Sequence, residues 1–447
     1  MSYSRSRAQL KGGVIHILQE SMGVRMDLIR ESARNGFVIF HEEVARDGAQ
    51  GKTLLLGPQR IAIAKRQSAL FQGNGHRQLV FNAGFPSIGP EEQNVIRELI
   101  GSVDSCYLGV SGRATFEEAD LLIKSISGAR FGRISIALPT SEQMCFTMLR
   151  KTPQQCLQHA LEITKYILDA DTNSVLDFAL VDVPRAALDF VADAALQLTD
   201  AGASMIIVCD TVGSLYPAES RRMFDALQKG TSGAVSFVAH MHNDLGFGLV
   251  NTLEALNAGV RGLTSSWLGL GERAGMPATE QLLFSLGHEL EDLASRLDVS
   301  SAIWPGTIDL RAIVPLARYV SQTTGRPLLV TDPIVGSGVN SISTGTPFVN
   351  PGLYQPFDPE VTLGVSRKVL LTPLASKRVV AAVAKRLGWT LNSSELSEAL
   401  IWIKAEAYER GVGIIEEDDF IHFCEERRFT NSLIKEPMIH SSQIERV

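Results

Sequence analysis

The 447-residue sequence has few of the features that mark secreted, membrane or nucleic-acid-binding proteins. Its five cysteines are scattered and form no CxxC motif, which is typical of reduced thiols in the cytoplasm rather than of disulfides. No apolar run approaches the roughly 20 residues of a membrane-spanning helix. The 42 basic and 49 acidic residues include no dense basic patch for nucleic acid. These absences favour a cytoplasmic protein of ordinary globular composition.

The amino-terminal residues, MSYSRSRAQLKGGVIHILQE, are rich in serine and arginine and poor in acidic side chains. A targeting peptide is one interpretation of this composition. However, the apolar stretch at residues 14–18 is too short for a secretory signal, and no A-x-A cleavage site follows it. We therefore predict that residues 1–36 form an N-terminal arm.

From about residue 37, short apolar or β-branched runs alternate with amphipathic segments. Eight units of this kind predict a parallel sheet, and the number eight favours a closed (β/α)8 TIM barrel over residues 37–300. An open doubly wound sheet is the alternative, but no GxGxxG follows the first strand. The candidate strands are FVIFHEEV, QLVFNAG, DSCYLGV, RISIALP, SVLDFAL, SMIIVCD, AVSFVAH and GLTSSWL. The candidate helices span residues 53–71, 90–100, 115–127, 153–169, 187–201, 217–229, 247–258 and 278–293.

The alternation ends near residue 300, and residues 301–447 predict a different kind of structure. Residues 325–366 are rich in glycine, proline, serine and threonine. Such a long irregular segment is usually functional or a linker. Residues 377–387, 394–409 and 417–428 then predict three helices. We expect a C-terminal irregular linker followed by a small helical subdomain.

Two of the nine histidines, His240 and His242, stand one residue apart at the end of the seventh candidate strand. Side chains at i and i+2 share one face of a strand, and barrel enzymes carry their active residues at the carboxyl ends of strands. Two imidazoles and one carboxylate suit Mn²⁺, Zn²⁺, Fe²⁺, Co²⁺ or, less naturally, Mg²⁺. Asp47, at the end of the first strand, is the natural third ligand. HxH alone is also typical of surface or core histidines, so its position at a strand end carries the prediction.

Arg46 directly precedes Asp47 at the end of the first candidate strand. Consecutive strand residues face opposite sides of a sheet. Both side chains can therefore reach one site only if the strand has already ended or bulged, which Gly48 favours. The alternative for Arg46 is a structural salt bridge on the barrel rim.

Two further strand ends carry polar or glycine-rich sequence. Thr211 follows the sixth candidate strand, where a threonine is also explained by strand propensity alone. The loop Gly269–Gly275, GLGERAG, follows the eighth. Glycine-rich loops bind anions through backbone N–H groups, but this one is equally compatible with a tight turn carrying a solvated Glu272–Arg273 pair.

In order and spacing, the motifs ARDGAQ, NAGFPS, CDTVGSLYP, HMHNDLGFGLVNTLEALNAGV and GLGERAG resemble one superfamily of (β/α)8 enzymes. This is the DRE-TIM metallolyase superfamily, which includes 2-isopropylmalate, homocitrate and citramalate synthases and 3-hydroxy-3-methylglutaryl-CoA lyase. The stretch HMHND…GERAG is most similar to the Claisen-condensing synthases. The segment DPIVG…NPGLYQPFDPE resembles the one that follows the barrel in those synthases, so the resemblance covers roughly residues 37–425.

The resemblance implies a divergent acyl-CoA-dependent synthase that joins an acetyl-CoA-type thioester to an α-keto acid. A divalent metal (Mn, Mg, Zn or Co) would be held by Asp47, His240 and His242. Arg46 would be the catalytic residue that stabilises oxyanion charge. The keto acid's carboxylate would be bound by Thr211, with Gln50 supporting the site. The segment after the barrel reaches the partner's barrel in the resembling synthases, which implies a homodimer.

Several positions depart from the superfamily pattern. Met276 stands where a further metal ligand, asparagine, is usual, Asn82 replaces a glutamate, and Val181 replaces the glutamate that usually precedes the fifth-strand aspartate. Ile342 and Pro347 fall where the synthases carry two histidines, one of which takes part in deprotonating acetyl-CoA. The alternatives are therefore a metal-dependent carbon–carbon lyase of the HMG-CoA lyase type, or a homologue that has lost its activity.

Overall fold

The computed structural model of the chain describes residues 27–171, 173–288 and 303–431. The chain divides into two compact units, with the division between Leu328 and Leu329. The predicted barrel boundary at residue 300 lies outside the described residues, and the helix Ile313–Thr324 belongs to the first unit. Most of the predicted N-terminal arm, up to residue 26, also lies outside them. No helix of the described part is long and apolar enough to cross a membrane.

The first unit contains eight parallel strands that close into a barrel in sequence order, with β1 pairing with β8. This confirms the (β/α)8 TIM barrel, and the open doubly wound alternative is wrong. All eight candidate strands are present. They are β1 (Ile39–Glu42), β2 (Leu79–Gly84), β3 (Tyr107–Arg113), β4 (Gly132–Pro139), β5 (Val175–Val181), β6 (Ile206–Asp210), β7 (Phe237–Met241) and β8 (Gly262–Ser265).

The eight predicted helices are present with small differences in their ends, and the predicted end of the last one, at residue 293, lies outside the described residues. α3 begins four residues later than predicted, and Pro58 lies in its first turn, where the missing N–H of proline breaks no helical hydrogen bond. The helices are α1 (Leu28–Arg34), α2 (Asp47–Gln50), α3 (Gly57–Leu70), α4 (Gly75–Gln78), α5 (Pro90–Ile100), α6 (Phe116–Ile126), α7 (Glu142–Leu149), α8 (Pro153–Ala170), α9 (Leu188–Asp200), α10 (Pro217–Gly230), α11 (Gly248–Asn257), α12 (Thr279–Gly287) and α13 (Ile313–Thr324). Five of these helices, α1, α2, α4, α7 and α13, were not predicted.

Buried ion pairs close the amino-terminal end of the barrel. Arg133 on β4 donates to both carboxylate oxygens of Asp177 on β5 over 2.9–3.0 Å. It also donates over 2.6 Å to Asp27, which caps α1. Burial opposes the charge of Arg133, but the two carboxylates outweigh it and raise its pKa. The contact between Arg133 and Asp27 thus holds α1 at the amino-terminal end of the barrel. The cavity of the barrel opens at the other end, at the carboxyl ends of the strands.

His41 lies on β1 and is only 1% exposed. Its Nε2 is buried without a hydrogen-bond partner among the described residues. Burial, with the nearby charge of Arg133, lowers its pKa to about 3. In an unfolded chain a histidine has a pKa of about 6.5, so protons bind preferentially to the unfolded chain below that pH. The free energy of unfolding must therefore fall as the pH drops from about 6.5 towards 3.

We expect His41→Leu to weaken this pH dependence. Between pH 7 and pH 4.5 the wild-type chain should lose about 2–3 kcal/mol through this one group, and the variant should not. Denaturant unfolding followed by circular dichroism at the two pH values measures the difference. The exposed His422 offers a control for the replacement of a histidine by leucine, and His422→Leu is measured in parallel at the two pH values. An equal loss in His41→Leu and wild type would contradict the prediction.

The second unit has its own hydrophobic core, in which Val379, Val383, Ile403, Phe420 and Phe423 are buried. The three predicted helices are confirmed, whereas residues 325–366 are less irregular than predicted. They contain two short helices and β9, which pairs in parallel with β10. The elements are β9 (Ser341–Ile342), α14 (Gly345–Val349), α15 (Pro359–Leu363), β10 (Lys368–Val369), α16 (Lys377–Arg386), β11 (Trp389–Thr390), α17 (Ser393–Arg410), α18 (Glu417–Glu426) and β12 (Thr430–Asn431).

Candidate functional site

The first strand ends before the residues that the sequence assigns to the site. β1 stops at Glu42, and Asp47 opens the short helix α2 with Arg46 as its N-cap residue. Because neither residue lies on the strand, both side chains can reach the same cavity, as the sequence analysis requires. On the seventh strand, which ends at Met241, His240 is the penultimate residue and His242 follows directly.

Asp47, His240 and His242 form a buried group at the carboxyl end of the barrel. Each offers one ligand atom, and these atoms all lie within 4.8 Å of one another. Oδ2 of Asp47 is 3.9 Å from Nε2 of His240, and the two imidazole centroids are 5.1 Å apart. Across residues 27–171, 173–288 and 303–431, no other group of three such side chains could hold a metal ion. The structure thus brings the three predicted ligands together.

Neighbouring groups orient two of these three side chains, His240 and Asp47. Oγ1 of Thr264 lies 3.1 Å from Nδ1 of His240, which leaves Nε2 on the side of Asp47. The backbone N–H of Glu272 donates to Oδ1 of Asp47 over 2.9 Å. Nδ1 of His242 is buried and has no hydrogen-bond partner in the described part of the chain, although buried polar atoms normally have one. A carboxylate, the oriented imidazole of His240 and the imidazole of His242 with its unpartnered nitrogen fit a divalent metal.

The protonation states of the group also suit a metal. Burial, with the positive charge of Arg46, holds the pKa of His240 well below its usual value, and burial lowers the pKa of His242. Burial alone would raise the pKa of Asp47, but Arg46 and the two histidines outweigh it and lower the pKa. Neutral imidazoles and an ionised carboxylate are the forms that bind metal ions.

The Arg46 guanidinium is fixed on two edges. Its Nε donates to Glu43 over 2.6 Å and its Nη1 to Asp47 over 3.1 Å, and the group lies 5.7 Å from the ring centroid of Phe85. Burial opposes the charge, but the two carboxylates outweigh it and raise the pKa of Arg46. The Arg46 side chain lines the cavity and is 17% exposed. A fixed positive charge therefore stands beside the predicted metal ligands.

Glu43 belongs to the site although the sequence analysis did not select it. Its side chain is 1% exposed, and its carboxylate accepts from Arg46 and, over 2.5 Å, from Nδ2 of Asn82. The superfamily pattern has a glutamate at position 82. In this chain an amide occupies that position and the carboxylate comes from residue 43. Two consecutive glutamates, Glu42 and Glu43, after an apolar run were the signal that could have revealed it.

Gln50 and Thr211, the two predicted substrate-binding residues, line the same cavity. Gln50 is exposed at the end of α2. The Thr211 hydroxyl accepts from the backbone N–H of Asp182 over 2.9 Å. Because a hydroxyl can accept and donate at once, Thr211 can still donate its proton to a ligand's carboxylate.

The loop Gly269–Gly275 packs directly against Asp47. A Cβ on Gly271 would lie 2.9 Å from Oδ1 of Asp47 and 3.0 Å from Cγ of Met276. Arg273 pairs with Asp244 over 2.8 Å and with Glu272 over 3.2 Å. The Glu272–Arg273 pair is therefore present. The backbone N–H of Glu272 in this loop donates to the Asp47 carboxylate of the protein itself.

These residues surround a cavity of about 320 Å³ at the carboxyl ends of the strands. Its size is within the usual range for small-molecule sites. Four acidic side chains (Glu43, Asp47, Glu118 and Glu272) and two basic ones (Arg46 and Arg113) line it. With neutral histidines, the lining has a formal charge of −2.

Met276, at the usual place of a further metal ligand, is 1% exposed. We expect Met276→Asn to raise the affinity for Mn²⁺ by about tenfold, because an amide oxygen is a better ligand for this ion than a thioether. Titration calorimetry with Mn²⁺ measures the change, and Met276→Leu serves as a control that offers no ligand. Equal affinities in the Asn and Leu variants would show that residue 276 does not reach the ion.

Comparison with known proteins agrees with the barrel and its motifs. Residues 40–320 match the family described as HMGL-like. The chain is 26% identical over 400 residues to the 2-isopropylmalate synthase of Geobacillus stearothermophilus, covering 87% of this chain and 73% of that enzyme. It is 28% identical over 345 residues to 2-isopropylmalate synthase 1 of Caldanaerobacter subterraneus subsp. tengcongensis, covering 76% and 84%.

Among solved structures, the chain is similar to the hydroxymethylglutaryl-CoA lyase of Pseudomonas aeruginosa, with a TM-score of 0.51 and 17% identity over 65% of this chain and 94% of that one. It is also similar to the carboxyl transferase domain of Rhizobium etli pyruvate carboxylase, with a TM-score of 0.50 and 15% identity over 69% and 50%. At these identities the structures show the fold alone. The family match spans more than half of the chain, and the chain therefore belongs to the HMGL-like family.

Proposed function

We propose that the chain is a metal-dependent acyltransferase that joins an acetyl-CoA-type thioester to an α-keto acid. The observation that carries this proposal is the buried group Asp47, His240 and His242 with Arg46 fixed beside it. An α-keto acid offers a carbonyl and a carboxylate to such a site. The relatives named 2-isopropylmalate synthase support the same type of reaction and a place in amino-acid biosynthesis.

In the proposed reaction, a base removes a proton from the thioester's α-carbon, and that carbon forms a bond to the keto carbon. The former carbonyl oxygen gains negative charge and then a proton, and water releases coenzyme A as a free thiol. A divalent metal held by Asp47, His240 and His242 would supply Lewis acidity for this step. Arg46 stabilises the developing oxyanion charge, and Thr211 donates to the keto acid's carboxylate.

Glu43 and Asn82 act on the reaction through Arg46. The Glu43 carboxylate holds Nε, and the Asn82 amide holds Glu43. With Asp47 on Nη1, two edges of the guanidinium are occupied by the protein. Oriented charge of this kind needs little reorganisation during the reaction, which is why it is effective in catalysis.

A carbon–carbon lyase on the same metal site is the second candidate, because positions 342 and 347 offer no base for a thioester. Ile342 is buried in β9 and Pro347 lies in α14, and neither side chain can accept a proton. A retro-aldol cleavage needs a metal and a base but no deprotonation of acetyl-CoA. The hydroxymethylglutaryl-CoA lyase likeness agrees with this candidate at the level of the fold.

One assay separates the candidates. The Mn²⁺-loaded protein is incubated with acetyl-CoA and a panel of α-keto acids, and free coenzyme A is followed with a thiol reagent. Release of coenzyme A that depends on a keto acid supports the synthase. Cleavage of a hydroxy acid or hydroxyacyl-CoA, with no such release, would replace it with the lyase. Metal binding with neither reaction would leave a homologue without this activity.

We further propose that the protein is a homodimer. The second unit exposes several large apolar side chains in and near the segment 325–366, among them Leu329, Val330, Leu353, Tyr354 and Val361. Exposed apolar groups of this kind often mark a protein–protein interface. Light scattering at micromolar concentration should give twice the chain mass of 48.6 kDa. A monomer at that concentration would contradict the proposal.

A further inference from the structure

We infer that the keto acid has an uncharged side chain with a hydrogen-bonding group, bound on the wall of the cavity formed by β3, β4 and β5. This inference rests on the proposed function. The strand order puts β5 opposite β1 in the closed barrel, so this wall lies across from Arg46 and Asp47. A keto acid held by its carboxylate and carbonyl near those residues extends its side chain towards the opposite wall.

Small side chains line this wall. Ser111 on β3 is the register partner of Ser135 on β4, and Ala137 on β4 is the register partner of Ala179 on β5. All four line the cavity. Barrel interiors are usually filled by valine, isoleucine and leucine. Two serines and two alanines in adjacent positions leave room that bulkier side chains would fill.

The two serines also supply free hydroxyls. Neither Ser111 nor Ser135 has a side-chain hydrogen bond to another described residue, and Ser135 is 9% exposed. Both serines line the cavity, and neither hydroxyl is fully buried, so the two hydroxyls lose contact with solvent only when a ligand fills the cavity. Polar groups that are buried in this way normally have partners. A ligand group that donates or accepts at this wall would supply one, whereas a purely apolar side chain would leave both hydroxyls unpaired.

The two serines and two alanines of this wall carry no charge. Arg113 on β3 is the charged residue beside this wall, since it is the register partner of Ala137 on β4. Its guanidinium is already paired with Glu118 over 2.5 Å. Arg113 is also 68% exposed, so solvent screens what remains of its charge. A carboxylate at the end of the substrate's side chain would therefore lose its hydration and meet only a cation whose charge Glu118 already neutralises.

The test compares ligands that differ only at this end. Titration calorimetry on the Mn²⁺-loaded protein measures the affinities of pyruvate, 2-oxohexanoate, 2-oxoglutarate and the 5-methyl ester of 2-oxoglutarate. We expect the ester to bind most tightly, because its carbonyl can accept from the serines. Tighter binding of 2-oxoglutarate or of 2-oxohexanoate would overturn the inference.

Two variants test the wall itself. Ser135→Ala should weaken binding of the ester by about three- to tenfold, the usual effect of one neutral hydrogen bond, and should leave pyruvate unchanged. Ala137→Leu should exclude the ester and still admit pyruvate. Ser87→Ala is the control, since Ser87 is an exposed serine at the mouth of the same cavity and should change neither affinity.

The results distinguish the inference from the proposed function. If pyruvate binds and the ester is unaffected by Ser135→Ala and Ala137→Leu, the inference fails and the keto-acid site stands. If no keto acid binds to the Mn²⁺-loaded protein, pyruvate included, the proposed function fails and the inference fails with it.

Discussion

Arg46→Lys is expected to lower kcat by about 10²–10³-fold. The variant should keep the metal content and the melting temperature of the wild-type protein. Lysine preserves the positive charge but lacks the planar fork of a guanidinium. In the structure, one edge of Arg46 contacts Glu43 and another contacts Asp47. A single ammonium group cannot satisfy both carboxylates and also stabilise an oxyanion in the cavity.

The measurement is kcat with the best keto acid, together with the melting temperature and the Mn²⁺ content. Arg185→Lys provides a matched control, because Arg185 also pairs with a buried aspartate, Asp182, over 2.7 Å but is 46% exposed. An exposed pair of that kind contributes about 0–1 kcal/mol. If Arg46→Lys retains turnover and melts several degrees lower, then Arg46 is a structural residue of the barrel rim.

His242→Ala is expected to weaken Mn²⁺ binding by more than about 10²-fold, since even residues that only orient metal ligands cost 10–100-fold when removed. The effect should be large here because Met276 offers no oxygen in place of the lost nitrogen. Only Asp47 and His240 would then remain as ligands.

Metal analysis after mild chelation and reloading, followed by calorimetry, measures this loss. His159→Ala is the control: this histidine lies on α8 and pairs with Glu162 over 3.6 Å, away from the candidate metal ligands. The circular dichroism spectrum should be unchanged in both variants. Metal binding by His242→Ala equal to that of the control would remove His242 from the set of ligands.

The sequence predicts those parts of the fold that follow from local pattern. Each barrel strand is a short apolar run, and most of the longer helices around the barrel have an amphipathic period, so all eight strands and the eight helices that alternate with them could be predicted. His240 and His242 could be predicted for the same reason, because their spacing and their position at a strand end are local. Asp47 followed from the rule that places active residues at the carboxyl ends of barrel strands.

Contacts between distant positions could not be predicted in the same way. The hydrogen bond from Asn82 on β2 to Glu43, which follows β1, joins residues 39 positions apart, and the Arg133–Asp27 pair joins residues more than 100 positions apart. In the sequence Asn82 stands out only as a departure from the superfamily pattern, and the other three residues do not stand out. Only the folded barrel brings the members of each pair together. The start of α3 was misjudged because the segment before Pro58 has a helical pattern without forming a helix.

The negative lining of the cavity links its two ligands thermodynamically. With a formal charge of −2, the metal-free cavity repels a keto acid anion, and a divalent cation brings the lining to neutrality. The keto acid should therefore bind more tightly to the cation-loaded cavity than to the metal-free one. By thermodynamic reciprocity, the keto acid must raise the affinity for the cation by the same factor by which the cation raises the affinity for the keto acid. Under the proposed function, in which Met276 stands at the usual place of a further metal ligand, the bound keto acid would help to retain the ion until it reacts.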